Sequence, residues 1–196
     1  MEAPAHDPRS GKALAVTYGT ANRGMCHIHP LEGMAYDSGK KDFGMTKYGI
    51  PDPLTVDRWE EKGKGKIVKI LQDDLIVPDI LSTCKFLMYV GLTLDNYAEM
   101  LSAITNWDID GKELLKIGER VINLQRLFNI REGFTQKDDL LPERMRGLPK
   151  FGDYKDEKKC VIKDYEGMLN EYYEARGWDK QTGKPLTEKL HDLDIT

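Results

Sequence analysis

Apolar residues recur along this chain at intervals of three and four positions, the spacing that places side chains on one face of an α-helix. The first clear stretch runs from Ile67 to Leu75, and Pro78 interrupts it, so we predict a helix that ends just before Asp79. No stretch alternates with a period of two for more than a few residues. The pattern therefore predicts a mainly α-helical fold.

Capping residues mark further helices. Thr93 precedes apolar positions at helical spacing, and its hydroxyl is suited to cap the first free amides of a helix. A later helix is predicted between Asp164 and Arg176, with Gly177 just after its end. Thr187 begins one short terminal helix.

The longest predicted helix follows Asp110, a favourable N-cap residue, and Gly133 ends it. We expect its apolar stripe to belong to the core; the stripe consists of Leu114, Ile117, Val121, Leu124 and Phe128. Gly118 lies inside this helix and costs about 1 kcal/mol of helix propensity relative to alanine. Close packing or a cofactor is therefore expected at Gly118.

The segments between and before these helices differ in composition. The segment from Gly11 to Gly24 is rich in small residues, which allow close approach to a neighbouring element or a ligand. A long ordered loop or insertion is predicted from Pro30 to Lys66, and a solvated connection from Gln136 to Lys159. The segment from Ile80 to Leu92 is strongly apolar, so we predict that it is buried.

The composition is that of an ordinary soluble protein. The chain has 196 residues, 40% of them hydrophobic, and a net charge of −4 with acidic and basic residues interspersed. These values give no indication of nucleic-acid binding, and no apolar run is long enough for a membrane span. Met1 to Pro8 lack the features of a secretory signal and the cysteines number three, so a cytoplasmic location is expected.

Two groups of residues have chemistry worth testing. Cys26, His27 and His29 are possible metal ligands, but residues this close in sequence rarely point to one centre, which favours other roles. His27 alone is suited to general acid–base work, because imidazole titrates near neutral pH. Cys84 in its apolar stretch is typical of a core cysteine, and a single thiolate cannot hold an iron–sulfur cluster.

Five motifs, taken together and in order, resemble the C-terminal region of the aldehyde ferredoxin oxidoreductase family. The longest is the most specific, because it repeats both aromatic and charged positions. The motifs are AHDPR at 5–9, NRGMCH at 22–27, the 79–86 segment, GERVINLQRLFNIREGFTQKDDLLPERM at 118–145 and EYYEARGWD at 171–179.

This resemblance implies a tungsten ion held by two pterin dithiolenes, beside a [4Fe-4S] cluster that passes electrons to ferredoxin or an iron–sulfur partner subunit. It implies the oxidation of aldehydes to carboxylic acids. Carried over by motif, Arg23 contacts a pterin and His27 is the catalytic, proton-transferring residue near tungsten. His29 occupies a cofactor-binding position that is often basic in the family.

The 79–86 motif supplies the remaining implied site residues. By the same resemblance, Asp79 hydrogen-bonds a pterin ring, Thr83 and Lys85 contact the pterin, and Cys84 is a cluster ligand. This chain reads Ser82, Thr83 and Cys84 where relatives commonly read Gly-Leu-Cys, which puts the detail of the backbone contact in doubt. The stretch from Tyr36 to Lys66 is expected to be longer than in aldehyde-oxidising relatives.

The resemblance further implies that residues 1–196 are an irregular multi-helix C-terminal region of a longer oxidoreductase, expected as one region or two closely packed helical subdomains. The pterin-cradling N-terminal domain is the expected partner, and the chain alone is expected to bind no cofactor and to be inactive. Two alternatives stay open at this point. One is the tungsten subunit of a class II benzoyl-coenzyme A reductase, and the other is a cofactor-free helical assembly domain.

Overall fold

The computed structural model describes residues 4–30 and 44–195, and regular structure in these ranges is helical, as the sequence pattern predicts. Two isolated bridges are the only β-type pairings there, between Asn22 and Gly24 and between Trp178 and Pro185. The α-helices are α1 (Lys12–Thr20), α2 (Lys64–Leu75), α3 (Val77–Ile80), α4 (Phe86–Tyr89), α5 (Leu94–Thr105), α6 (Gly111–Arg131), α7 (Tyr165–Arg176) and α8 (Thr187–Asp192).

Helix ends follow the predicted caps closely. Thr93 forms a capping box with Asn96 at the start of α5. The side chain of Asp110 accepts from the backbone N–H of Glu113, 2.8 Å away, at the start of α6. Gly177 follows α7 in the left-handed conformation with φ 66°. These predictions are confirmed because capping depends on residues within one turn.

The predicted helix before Asp79 is instead two helices. α2 ends at Leu75, and Pro78 and Asp79 lie in the one-turn α3 that follows directly. Proline fits there because the first turn of a helix needs no hydrogen bond from its N–H groups. Asp79 is therefore at a helix end, on an exposed turn.

Helix α1 was not predicted, because its segment has no amphipathic period. All of its residues except Gly19 are buried, and Ala13, Leu14, Ala15 and Val16 have no exposed surface. A helix that is covered on all sides needs no polar face, so its sequence shows no alternation of apolar and polar stripes.

Helices α2, α6 and α7 pack closely at two glycines. A Cβ atom on Gly118 would overlap the backbone carbonyl of Asp73 in α2, and one on Gly65 would overlap the backbone of α7 at Met168. The close-packing explanation for Gly118 is therefore confirmed. These contacts bring the main chains of α2, α6 and α7 together around the core.

Two burial predictions are wrong. In the 80–92 segment Met88 is 1% exposed, but Phe86 is 54% and Val90 is 76% exposed. In the stripe of α6, Leu114 is buried, whereas Leu124 and Phe128 are about half exposed. Both segments carry apolar side chains that lie on the surface of the described chain, so apolar character alone overstated their burial.

The connecting segments are mostly irregular, with 3₁₀ turns at Thr46–Tyr48, Pro53–Thr55, Pro8–Ser10, Gln136–Asp139, Glu143–Met145 and Lys158–Cys160. Residues 31–43 of the predicted loop lie outside the described residues. The 136–159 connection is less solvated than predicted, since Asp139 and Leu141 are each 2% exposed. In the described parts of the chain, no helix is both long and apolar enough to cross a membrane.

Candidate functional site

The predicted site residues come from two segments. The first is the loop 21–29 that follows α1, and the second is the turn 79–85, which runs from the end of α3 to the start of α4. α6 holds the start of the loop, because the Nδ2 of Asn129 donates to the carbonyl of Asn22 at 2.7 Å. The Nδ2 of Asn22 in turn donates to the Oε1 of Gln125 at 3.2 Å. The loop is thus fixed to the long helix.

His29, Asp79 and Lys85 bring the two segments together. The Nζ of Lys85 donates to the Oδ2 of Asp79 at 2.7 Å, and the Nε2 of His29 lies 2.9 Å from the same oxygen. Lys85 also contacts the His29 ring nitrogen, across 56 positions of sequence. The exposed fractions are 14% for His29 and 12% for Lys85, so this contact is mostly shielded from solvent.

Burial, followed by the positive charge of Lys85, lowers the pKa of His29 to about 4. His29 is therefore neutral at pH 7, and the ion pair of the group is Lys85 with Asp79. In one tautomer the Nε2–H of His29 donates to Asp79, and in the other the bare nitrogen accepts from Lys85. Either way a neutral imidazole covers the pair.

Arg23 and His27 lie elsewhere on the same loop. The Nε of Arg23 donates to the Sγ of Cys26 at 3.3 Å, and the Arg23 side chain is exposed. The ring of His27 meets that of His6 edge-on with centroids 4.9 Å apart. Burial lowers the pKa of His27, and the charges of His6 and Arg23 lower it further. The imidazole of His27 is therefore neutral at pH 7. His27 lies apart from the group formed by His29, Asp79 and Lys85.

The turn before Cys84 has a specific backbone shape. Ser82 has φ 56°, a left-handed conformation that glycine adopts without strain. The Oγ1 of Thr83 donates to the carbonyl of Pro78 at 3.3 Å and lies 3.4 Å from the hydroxyl of Tyr97. Thr83 is thereby tied to its own turn and to α5.

Cys84 is exposed, which corrects the interpretation of a core cysteine drawn from its apolar neighbours. Cys84 lies between the one-turn helices α3 and α4, whereas Cys160 is 1% exposed. Within residues 4–30 and 44–195, no group of three or more His, Cys, Asp or Glu side chains is arranged to hold a metal ion.

A groove of about 450 Å³ adjoins Arg23 and His29. Its other wall is the exposed face of α6, including Leu124 and Phe128. The amides Asn22, Gln125 and Asn129 also line it, and sequence reasoning missed them. All three lie within the motifs that carry the resemblance, but the sequence alone gave no chemical reason to single out an amide.

The matching family model is described as aldehyde ferredoxin oxidoreductase, domains 2 and 3, and it covers residues 1–195. The chain belongs to the aldehyde ferredoxin oxidoreductase family. Tungsten-containing aldehyde ferredoxin oxidoreductases of Pyrococcus abyssi, Pyrococcus horikoshii and Thermococcus kodakarensis are 33%, 34% and 32% identical to it over 197 residues. Each alignment covers all of this chain but only 30% of the relative.

A solved structure also shares the fold of this aldehyde ferredoxin oxidoreductase family member. It is the active-site complex BamBC of benzoyl coenzyme A reductase, in complex with 1,5-dienoyl-CoA. The TM-score is 0.51 at 23% identity, over 67% of this chain and 19% of the other. This likeness concerns the fold alone.

Proposed function

We propose that this chain is the C-terminal part of a tungsten-pterin, iron–sulfur oxidoreductase that oxidises aldehydes to carboxylic acids and passes the electrons to ferredoxin. One observation carries the proposal. The two motif segments, far apart in sequence, meet through His29, Asp79 and Lys85, and they do so beside the exposed thiol of Cys84. A cofactor that touches both segments needs this proximity.

The hydrogen-bonding and charged groups of these side chains suit a pterin. The carboxylate of Asp79 is 38% exposed and can accept from amino and ring N–H groups, while Arg23 offers a guanidinium for the anionic parts of the cofactor. His29, Thr83 and Lys85 complete the contact surface. When bound, the tungsten-pterin supplies the two-electron redox chemistry.

His27 moves a proton in this proposal. Oxidation of an aldehyde by water to an acid releases two electrons and two protons, so a base near the reacting carbon is useful. His27 is half-buried and its pKa is lowered, so its imidazole is neutral and free to accept a proton at pH 7.

The exposed apolar residues near Cys84 in sequence, together with two on α6, form the surface that we propose the N-terminal domain covers. They are Ile80, Phe86, Leu87 and Val90, together with Leu124 and Phe128 on α6. Because Cys84 lies in this surface, the other cluster ligands come from the covering domain. This arrangement supports a chain that binds no metal alone, and the parent enzyme is proposed to be cytoplasmic.

Co-production with the N-terminal part of a family enzyme tests the proposal. We expect tungsten and iron in a ratio of about one to four, the ratio for one cubane cluster. Cys84→Ser should lose iron, whereas Cys160→Ser, which changes a buried thiol, should keep it. An assembly that binds neither metal contradicts the proposal.

Substrate assays separate the remaining alternatives. Turnover of an aryl-coenzyme A thioester without aldehyde oxidation would contradict the aldehyde assignment and favour the reductase. The isolated chain should be colourless, and a brown chain with a broad visible band would contradict the expectation that it binds no cofactor. Lasting assembly without metal uptake would favour a purely structural domain.

A further inference from the structure

The side chain of Gln72 in α2 contacts the residue just before the loop 21–29 and the last residue of that loop. Its Nε2 lies 3.1 Å from the Oγ1 of Thr20, the last residue of α1, and 3.3 Å from the carbonyl oxygen of His29. Arg23 and His27 lie on the chain between these two contacts. A single amide thus spans the base of the loop.

The orientation of that amide is fixed from the opposite side. Its Oε1 accepts from the hydroxyl of Tyr172 at 2.6 Å and from the Nη2 of Arg176 at 2.8 Å. Both groups are donors in these contacts, so they select the oxygen and leave the NH₂ group to face Thr20 and His29. Gln72 is 3% exposed, and its contacts are therefore not shared with solvent.

Only a donor fits on the loop side. The hydroxyl of Thr20 donates to the carbonyl of Val16 at 2.8 Å, so its oxygen offers a lone pair toward Gln72. The main-chain oxygen of His29 is an acceptor as well. Glutamine combines two donors for this side with an acceptor for Tyr172 and Arg176, which glutamate and leucine do not.

The support behind Gln72 is rigid. Arg176 is held by a buried ion pair with Asp73, and both side chains have no exposed surface. Tyr172 is likewise fully buried. Motion of the amide would therefore break several buried hydrogen bonds at once, each of which is costly to leave unmade.

We propose that Gln72 is a positioning residue: by fixing the distance between Thr20 and His29, it holds Arg23 and His27 in place for the cofactor. The proposal rests on the proposed function, in which this loop faces the pterin. In this proposal Gln72 acts through the loop and does not itself contact the cofactor or the substrate.

Gln72→Glu is the direct test. The variant keeps an acceptor for Tyr172 and Arg176 but sets a carboxylate oxygen against Thr20 and His29. In hydrogen-exchange mass spectrometry of the isolated chain, we expect the 21–30 segment to exchange about tenfold faster, the effect of losing roughly one ordinary hydrogen bond, while α7 keeps its protection. Unchanged exchange in a folded variant would overturn the proposal.

Histidine NMR gives a readout that a general loss of stability does not move. The chain has four histidines, and His191 on the exposed α8 is an internal reference. In Gln72→Glu we expect the ring signals of His27 and His29 to shift and that of His191 to stay. Leu94→Ala, which truncates a buried side chain in α5 away from Gln72, should lower Tm yet leave the loop signals in place. Equal loop changes in both variants would show a purely structural role and overturn the proposal.

If Gln72→Glu does not fold, a variant of its partner Thr20 tests the same positioning role. Thr20→Val removes the acceptor for Gln72, and Thr17→Val is its matched control. Thr17 is also buried in α1 and also donates to a carbonyl one turn back, at 2.9 Å, but it makes no hydrogen bond to Gln72. Faster loop exchange in Thr20→Val alone supports the proposal; equal rates in the two variants contradict it.

These measurements use the chain without metal, so their failure overturns the role of Gln72 and leaves the proposed function standing. Conversely, a chain with an intact Gln72 contact that never acquires tungsten beside its N-terminal partner overturns the proposed function. The two outcomes are therefore distinguishable.

Discussion

The interior between α2, α6 and α7 differs sharply from the surface formed by α3, α4 and the turn 79–85. In the interior, Arg176 pairs with Asp73 and Arg126 pairs with Asp139, and none of these four side chains is more than 2% exposed. On the surface, Phe86 and Val90 are more than half exposed and have no apolar layer above them in the described chain.

The interior thus pairs its buried charges with residues of the same chain, whereas the surface is the part for which an N-terminal domain contact is proposed. A buried charge is tolerated only when it is paired and hydrogen-bonded, and the interior meets this condition with its own residues. A contiguous exposed apolar patch, in contrast, usually marks an interaction surface. The candidate site lies at the boundary, with Gln72 supporting it from the interior and Cys84 facing outward.

The largest expected effect comes from removing a buried ion pair in the interior. Asp139→Ala leaves Arg126 buried without its carboxylate and should lower the free energy of unfolding by about 3–5 kcal/mol. Glu166→Ala is the control, because Glu166 contacts Arg146 at the same 2.6 Å separation but is 55% exposed. The control should lose about 0–1 kcal/mol. Urea unfolding measures both; similar losses would contradict the comparison.

Gly118→Ala should cost about 1–3 kcal/mol, because the new Cβ overlaps the carbonyl of Asp73 where α6 meets α2. This loss opposes the gain of about 1 kcal/mol in helix propensity. Gly147→Ala is the matched control, since nothing lies within 4 Å of its added Cβ. Thermal unfolding compares the pair, and a more stable Gly118→Ala protein would show that the helices can separate there freely.

Asp74 is the unpaired exception in the interior. It has no exposed surface, neither carboxyl oxygen has a hydrogen-bond partner in the described chain, and burial together with the charge of Asp73 raises its pKa well above the usual value. The folded state therefore binds a proton that the unfolded state releases above about pH 4. The contribution of Asp74 to the free energy of unfolding is therefore largest at low pH, and it declines as the pH rises toward the raised pKa.

Asp74→Asn removes this titration. We expect the variant to gain of order 1 kcal/mol at pH 7 relative to the parent chain, and the gain to shrink as the pH approaches 4. Denaturant unfolding at both pH values measures the difference. A gain that grows on acidification would mean that the sign assigned to the Asp74 pKa shift is wrong.

The smallest expected effect is on the surface. Val90→Ser should change stability by less than about 0.5 kcal/mol, because Val90 is 76% exposed. Met88→Ser, two positions away, changes a side chain that is 1% exposed and should be clearly destabilising, by about 2 kcal/mol or more. Thermal unfolding of the two variants tests whether this segment has one buried and one open side; equal losses would contradict that division.

Much of the helical framework could be predicted from sequence because its signals are local. Caps at Thr93, Asp110 and Asp164 act within one turn of the chain, and the structure places helices where they predict them. α1 could not be predicted in the same way. Its burial on all sides depends on neighbours from distant parts of the chain, which leave no period in its own sequence.

The candidate site could likewise be predicted from the sequence only in part. The motifs indicate the family and name the positions, including Asp79 and Cys84, but they do not predict exposure. Cys84 was expected in an apolar core and lies on the surface, and Phe128 was expected in the core and lines the groove. Whether an apolar residue is covered depends on what packs above it, which periodicity does not report.

The sequence by itself determined the mainly helical fold, most helix starts and family membership, because these follow from local propensity and from motif order. Only the tertiary structure decided that His29 is a neutral imidazole over the Lys85–Asp79 pair and that Gln72 spans the base of its loop. The physical reason is that desolvation and hydrogen-bond partnership arise between segments far apart in the chain. Such properties belong to the packed molecule.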